Sequence, residues 1–226
     1  MAFVGDRPQM RFLALRSHPA LGDKAHPKDW PAEDPKESAA LTICAWLGHF
    51  ACVALLAPLA PASAIPSALS WAAASGRIDC VELLISFLDG ESHASRALQW
   101  AAEQGHFECV RLLLPVGNPK ADNDQALAFA AIHGHVECAM LLAPHADFSR
   151  NPEPLLLAAR RGQAKTVEAM LGAHPNCSSL FNFSSLIIQA SLDGHEELAA
   201  VLLSFHERSA LAESLPPLPS LSTPRL

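Results

Sequence analysis

The chain has 226 residues, half of them hydrophobic, with 18 prolines, no tyrosine and a formal net charge of −7. An acidic balance without a sizeable Lys/Arg cluster offers no electrostatic footprint for nucleic acid, which is excluded as an expected partner. Abundant leucine and alanine favour helices, and the prolines are expected between them.

In chain order, residues 1–33 show no repeat. Asp6 and Arg7 precede any apolar run, and Phe12–Leu15 is too short for a signal peptide core. Met10–Arg16 reads either as a short helix capping a stack or as irregular chain, and Asp23–Lys36 is proline-rich and charged. Phe50–Gly76 contains no Asp, Glu, Lys or Arg before Arg77 and has the length of a membrane span. Pro58, Pro61 and Pro66 interrupt it, however, and its serines dilute it. A proline inside a helix costs about 3 kcal/mol, so no transmembrane helix and no membrane partner are expected.

From residue 34 the chain repeats itself. Ala97–Pro115 (ALQWAAEQGHFECVRLLLP) returns as Ala126–Pro144 (ALAFAAIHGHVECAMLLAP), 29 residues later. Gly48, Gly76, Gly105, Gly134, Gly162 and Gly194 set a pitch of 28 to 32 residues. Three residues before each stands a small residue (Ala45, Ala73, Ala102, Ala131, Ala159, Ser191). Seven before stands an aliphatic one: Leu41, Leu69, Leu98, Leu127, Leu155, Ile187. Eight after stands another: Leu56, Leu84, Leu113, Leu142, Met170, Leu202. The glycine predicts a left-handed residue ending a first helix. The small column predicts close helix approach, and the aliphatic columns a core shared between units, because no single unit can bury its own apolar face. Asp79, Glu108, Glu137 and Glu197 suit the first turn of a second helix.

The pattern AA-x-x-GH followed by E-x-V-x-LLL resembles the ankyrin repeat over about three quarters of the chain. The Glu-Cys-Val, Leu-Leu-Pro and Asp-Pro-Lys wording resembles bacterial members of that family. The resemblance implies an all-α, helix-turn-helix solenoid of about six repeats acting in protein–protein interaction. The threonine-proline-leucine-histidine opening of the family is replaced in most units, and the pitch is shorter than the family's 33 residues. Short loops are therefore expected in place of full β-hairpins. The expected organisation is an N-terminal extension (1–33), a repeat domain (34–205, in units 34–61, 62–90, 91–119, 120–147, 148–176 and 177–205), and a disordered proline-rich tail (206–226). Leu215–Pro219 within that tail also fits a polyproline ligand.

Residues that suggest chemistry fall mostly into these columns. Cys52, Cys80, Cys109 and Cys138 recur four residues after the glycine. Equivalent positions of stacked helices lie about 10 Å apart, too far for a disulfide, which needs Cα atoms within about 7 Å, or for one shared zinc. They are expected to be buried apolar side chains, and Cys44 and Cys177 have no partner in sequence. Unpaired thiols fit a cytoplasmic protein. His49, His106, His135 and His195 follow the glycine and are expected to fix the turn by hydrogen bonds. His133 and His135 could in principle pair on a metal, but His135 belongs to the structural column. No phosphate loop, nucleophile elbow or zinc-protease helix is present in the sequence, so no catalytic residue, cofactor or metal is expected. Trp71, Trp100 and Phe129, five before the glycine, read either as a ligand platform or as inter-repeat core; helical spacing favours core, and exposure at its edge would let the ladder be both.

By analogy with the family, the two residues before each glycine face the partner. These are Trp46-Leu47, Ala74-Ser75, Glu103-Gln104, Ile132-His133, Arg160-Arg161 and Leu192-Asp193. The partner-binding set is thus Trp46, Leu47, Ser75, Glu103, Gln104, Ile132, His133, Arg160, Arg161 and Asp193. The expected function is a monomeric, non-catalytic scaffold binding a protein. The alternatives are an inhibitor or immunity-type protein occluding one enzyme, and a secreted effector acting on a host protein.

Overall fold

The computed structural model describes residues 36–88, 90–174, 177 and 181–214. The expected N-terminal extension, and Leu215–Pro219 with the rest of the chain's end, lie outside them. The described residues hold twelve α-helices and no strand. They pair as α1 (Lys36–Leu47) with α2 (Phe50–Leu56), α3 (Ala64–Ala74) with α4 (Ile78–Ile85), and α5 (Glu91–Gln104) with α6 (Phe107–Leu113). The other pairs are α7 (Ala121–His133) with α8 (Val136–Leu142), α9 (Glu153–Arg160) with α10 (Ala164–Ala173), and α11 (Phe183–Leu192) with α12 (Glu196–Ser214). Each odd-numbered helix packs on the next odd-numbered one and each even-numbered helix on the next even-numbered one, giving two layers of stacked helices.

The columns explain the stacking. Leu69, Leu98 and Leu155 in the first layer, and Leu84, Leu113 and Met170 in the second, are wholly buried. A further column, five after the glycine (Val53, Val81, Val110, Ala139 and Val167), is buried as completely. Alanines four and eight before the glycine, Ala68 with Ala72, Ala97 with Ala101 and Ala126 with Ala130, form a low ridge along α3, α5 and α7. The spacing of four puts each pair on one face, and the small side chains let neighbouring helices close up. Departures fall at the ends. Leu56 in the first pair and Ile187 in the last are only half-buried, and Ser191 is exposed, because among the described residues an end unit has a neighbour on one side only.

The connections are short. Pro58 and Pro144 sit in 3₁₀ turns, Ala57–Leu59 and Ala143–His145, that end the second helices, where a missing N–H costs nothing. The charge-free stretch Phe50–Gly76 is thereby split into helices of 7 and 11 residues. Among the described residues no helix is long and apolar enough to cross a membrane. The last helix corrects the expected boundary at 205, since α12 continues to Ser214. HERSALAES contains no proline or glycine that would interrupt the helix. Phe205 is buried at the base of this extension, 5.4 Å from the ring of Phe183.

The histidine column works between units rather than within a turn. His106 Nε2 lies 3.1 Å from the Ala74 carbonyl and His135 Nε2 lies 2.9 Å from the Glu103 carbonyl, each in the preceding unit. Arg77 Nε donates in the same way to Trp46 O at 3.2 Å. The same side chains lie over the preceding glycine. A Cβ on Gly105 would stand 2.5 Å from His135 Nδ1. The glycine is thus required both by its φ of +76° and by the next unit's side chain. Replacing His135 by alanine removes one hydrogen bond and is expected to cost about 1 kcal/mol, measurable by urea denaturation.

Candidate functional site

The carbonyl two residues before the glycine is the acceptor for the next unit's side chain at Trp46, Ala74 and Glu103. Backbone at those positions is pinned while the side chains stay at the surface. The expected partner-binding residues stand at the same place in their units or one residue further on. Gln104, His133, Arg160, Arg161 and Asp193 are exposed, and Trp46, Leu47, Ser75, Glu103 and Ile132 are half-buried. Asp193 is engaged within its own helix, accepting from Gln189 Nε2 at 2.9 and 3.0 Å.

The structure gathers one of these residues, Glu103, into a defined cavity. Between α5 and α7 runs an open groove of about 690 Å³. Its α5 wall is Arg96, Gln99, Trp100 and Glu103, and its α7 wall includes Asp122, Gln125 and Phe129. Positions 96, 99, 100 and 103 fall at i, i+3, i+4 and i+7, which is one helix face. That periodicity is readable in the sequence, whereas the glycine column alone favours core for Trp100 and leaves a ligand platform open. Trp100 is in fact 41% exposed, and Trp71 and Phe129 are half-buried. None of the three is core.

One hydrogen bond between units and one from the connecting loop brace the groove's two walls. Gln99 Nε2 donates to Asp122 Oδ2 at 2.9 Å, and the Asn118 N–H to Ser95 Oγ at 2.9 Å. Asp122 and Asp124 carry φ of 51° and 57° at the opening of α7. Asp tolerates this left-handed region better than most residues, and the cost is offset where both carboxylates are engaged. Asp124 Oδ2 accepts from Asn151 Nδ2 of the next unit at 3.4 Å. The groove can therefore offer an indole face, a phenyl edge, two carboxylates and one guanidinium on a braced frame. That set suits recognition of a side chain or peptide.

The remaining candidates are structural. Cys80, Cys109 and Cys138 are buried, and burial pushes the Cys109 and Cys138 thiols up to about 11, so they stay protonated at neutral pH. Cys52 departs from its column and is exposed, because no unit precedes α1 and α2 among the described residues. Cys44, which has no evident partner in the sequence, lies next to Cys52 across the α1–α2 turn. The His133 and His135 rings stack with centroids 6.0 Å apart. Since His135 Nε2 already holds the Glu103 carbonyl, a metal shared by the two would have to compete with that contact.

The ankyrin-repeat family model matches residues 41–124, 69–152 and 115–179, together more than half of the chain. The chain belongs to the ankyrin-repeat family. Ankyrin repeats are in general protein–protein interaction modules, and typically non-catalytic ones. No curated protein sequence matches the chain. The α11–α12 pair lies beyond the matched residues, yet Gly194 has the same left-handed φ, 79°, as the other five inter-helix glycines.

Proposed function

We propose that this protein is a non-catalytic scaffold that binds a protein partner through the face formed by its first helices, with the α5–α7 groove at the centre of the contact. The observation that carries the reading is Trp100, an indole left 41% exposed over a braced groove rather than packed in the adjoining core. An exposed indole beside a guanidinium, in a groove lined mainly by polar side chains, has the make-up of a binding hot spot, in which tryptophan and arginine are over-represented. Trp46, Ile132, His133, Arg160 and Arg161 extend the same face along the stack, with Leu47, Ser75, Gln104 and Asp193 beside them.

The test compares affinity capture by the wild type with that by two first-helix variants and one control variant. Trp100→Glu is expected to weaken capture of the principal partner by about 30-fold or more, since a hot-spot side chain is worth at least ~2 kcal/mol. A triple Glu variant at Trp46, Ile132 and Arg160 should weaken it further. Met140→Glu, on the exposed side of α8, should leave it unchanged. Equal capture by the wild type and both first-helix variants would refute the reading.

A further inference from the structure

Four residues before each inter-helix glycine, the other five units carry alanine: Ala72, Ala101, Ala130, Ala158 and Ala190, all buried. The first unit alone carries a cysteine there, Cys44. Four residues after the glycine stands Cys52, so the two thiols lie next to each other across the α1–α2 turn. The turn is fixed by the His49 N–H, which donates to the Cys44 carbonyl at 2.9 Å. In the next three units the second position is also cysteine, but it faces alanine and is buried. Cys52 is the exposed member of its column. A second thiol in contact and access from solvent therefore coincide in one unit.

We propose that Cys44 and Cys52 are a redox modification site, closing to an intramolecular disulfide by exchange with a low-molecular-weight disulfide such as oxidised glutathione. The exposed Cys52 reacts first. Its thiolate attacks one sulfur of the glutathione disulfide, that S–S bond breaks, and one glutathione leaves and takes up a proton. Cys44 then loses its proton to solvent and attacks the Cys52 sulfur of the mixed disulfide, and the second glutathione leaves and is protonated. Each cysteine loses one hydrogen, and two electrons pass to the glutathione disulfide, which is reduced to two thiols. Burial, with the adjacent Cys52, pushes the Cys44 thiol up to about 12. Ring closure therefore accelerates as pH rises, because the thiolate is the attacking form.

The experiment uses the full chain, reduced and then equilibrated with oxidised glutathione, acid-quenched, alkylated and mapped by peptide mass spectrometry. The expected product joins Cys44 to Cys52, with two hydrogens lost, no glutathione retained and the bond reversed by dithiothreitol. Closure from the transient Cys52 mixed disulfide should quicken with pH. Cys44→Ala installs the residue that the other five units hold, so the fold is expected to persist, checked by its helical circular dichroism. In that variant glutathione should remain on Cys52. Wild-type protein that retains glutathione on Cys52 at alkaline pH, leaves Cys52 unmodified, or joins Cys44 to Cys80 instead would overturn the proposal.

Discussion

Replacing Leu113 by alanine is expected to lower stability by about 2–5 kcal/mol, the range for emptying a well-packed leucine site. Leu113 is wholly buried in α6, and α6 packs on both α4 and α8. The cavity would therefore weaken the interfaces on both sides of the third unit. In a stack where each unit contacts only its neighbours, stability is close to a sum of unit and interface contributions. Weakening the middle should consequently broaden the urea transition or split it in two. Met140→Ala in α8, the next helix of the same layer, is the control. Its side chain is 58% exposed, and exposed positions away from special features shift stability by no more than about 0.5 kcal/mol. Equal midpoints for the two variants would contradict the assignment of the shared core.

Gly105→Ala should cost about 2–3 kcal/mol. Holding an L-residue in the left-handed region accounts for roughly 1–2 kcal/mol of this. Displacing His135 from its place over the glycine, and with it the 2.9 Å contact to the Glu103 carbonyl, adds about 1 kcal/mol. Two comparisons separate these contributions. Gly194 has the same conformation, φ +79°, but nothing lies within 4 Å of where its Cβ would be. Gly194→Ala should therefore carry the backbone cost alone. The double variant with His135→Ala should lose less than the sum of the single losses, as expected for residues in contact. Additive losses in denaturation would remove the inter-unit staple from the account.

The stacking was legible in the sequence because its cause is periodic. Gly105, Leu98 and Leu113 answer to the same neighbours as Gly134, Leu127 and Leu142, so each column repeats its chemistry. What the columns could not convey was which units lack a neighbour. Cys52, Leu56, Ile187 and Ser191 share columns with buried residues yet are exposed or half-buried at the ends. The groove was half legible. Glu103 was picked out by its place before the glycine, whereas Trp100 looked like core, because a ladder of Trp71, Trp100 and Phe129 at one column suits an interior equally well. The α5 face at 96, 99, 100 and 103 settles the matter, since it mixes charge with the indole. The end of α12 was misplaced for a different reason. A unit length, not a helix-stopping residue, set the boundary at 205, and the helix continues to Ser214. The Cys44–Cys52 contact needed the fold, for the two residues lie in different helices joined by a turn whose geometry decides whether their side chains meet.

The claim that the first-helix face receives the partner is tested most directly by site-specific photo-crosslinking. A photoreactive phenylalanine analogue at position 100 or 103 should give adducts with the captured partner, and the same analogue at position 140 should give none. Adducts from position 140 with none from 100 or 103 would place the partner on the opposite layer and contradict the account.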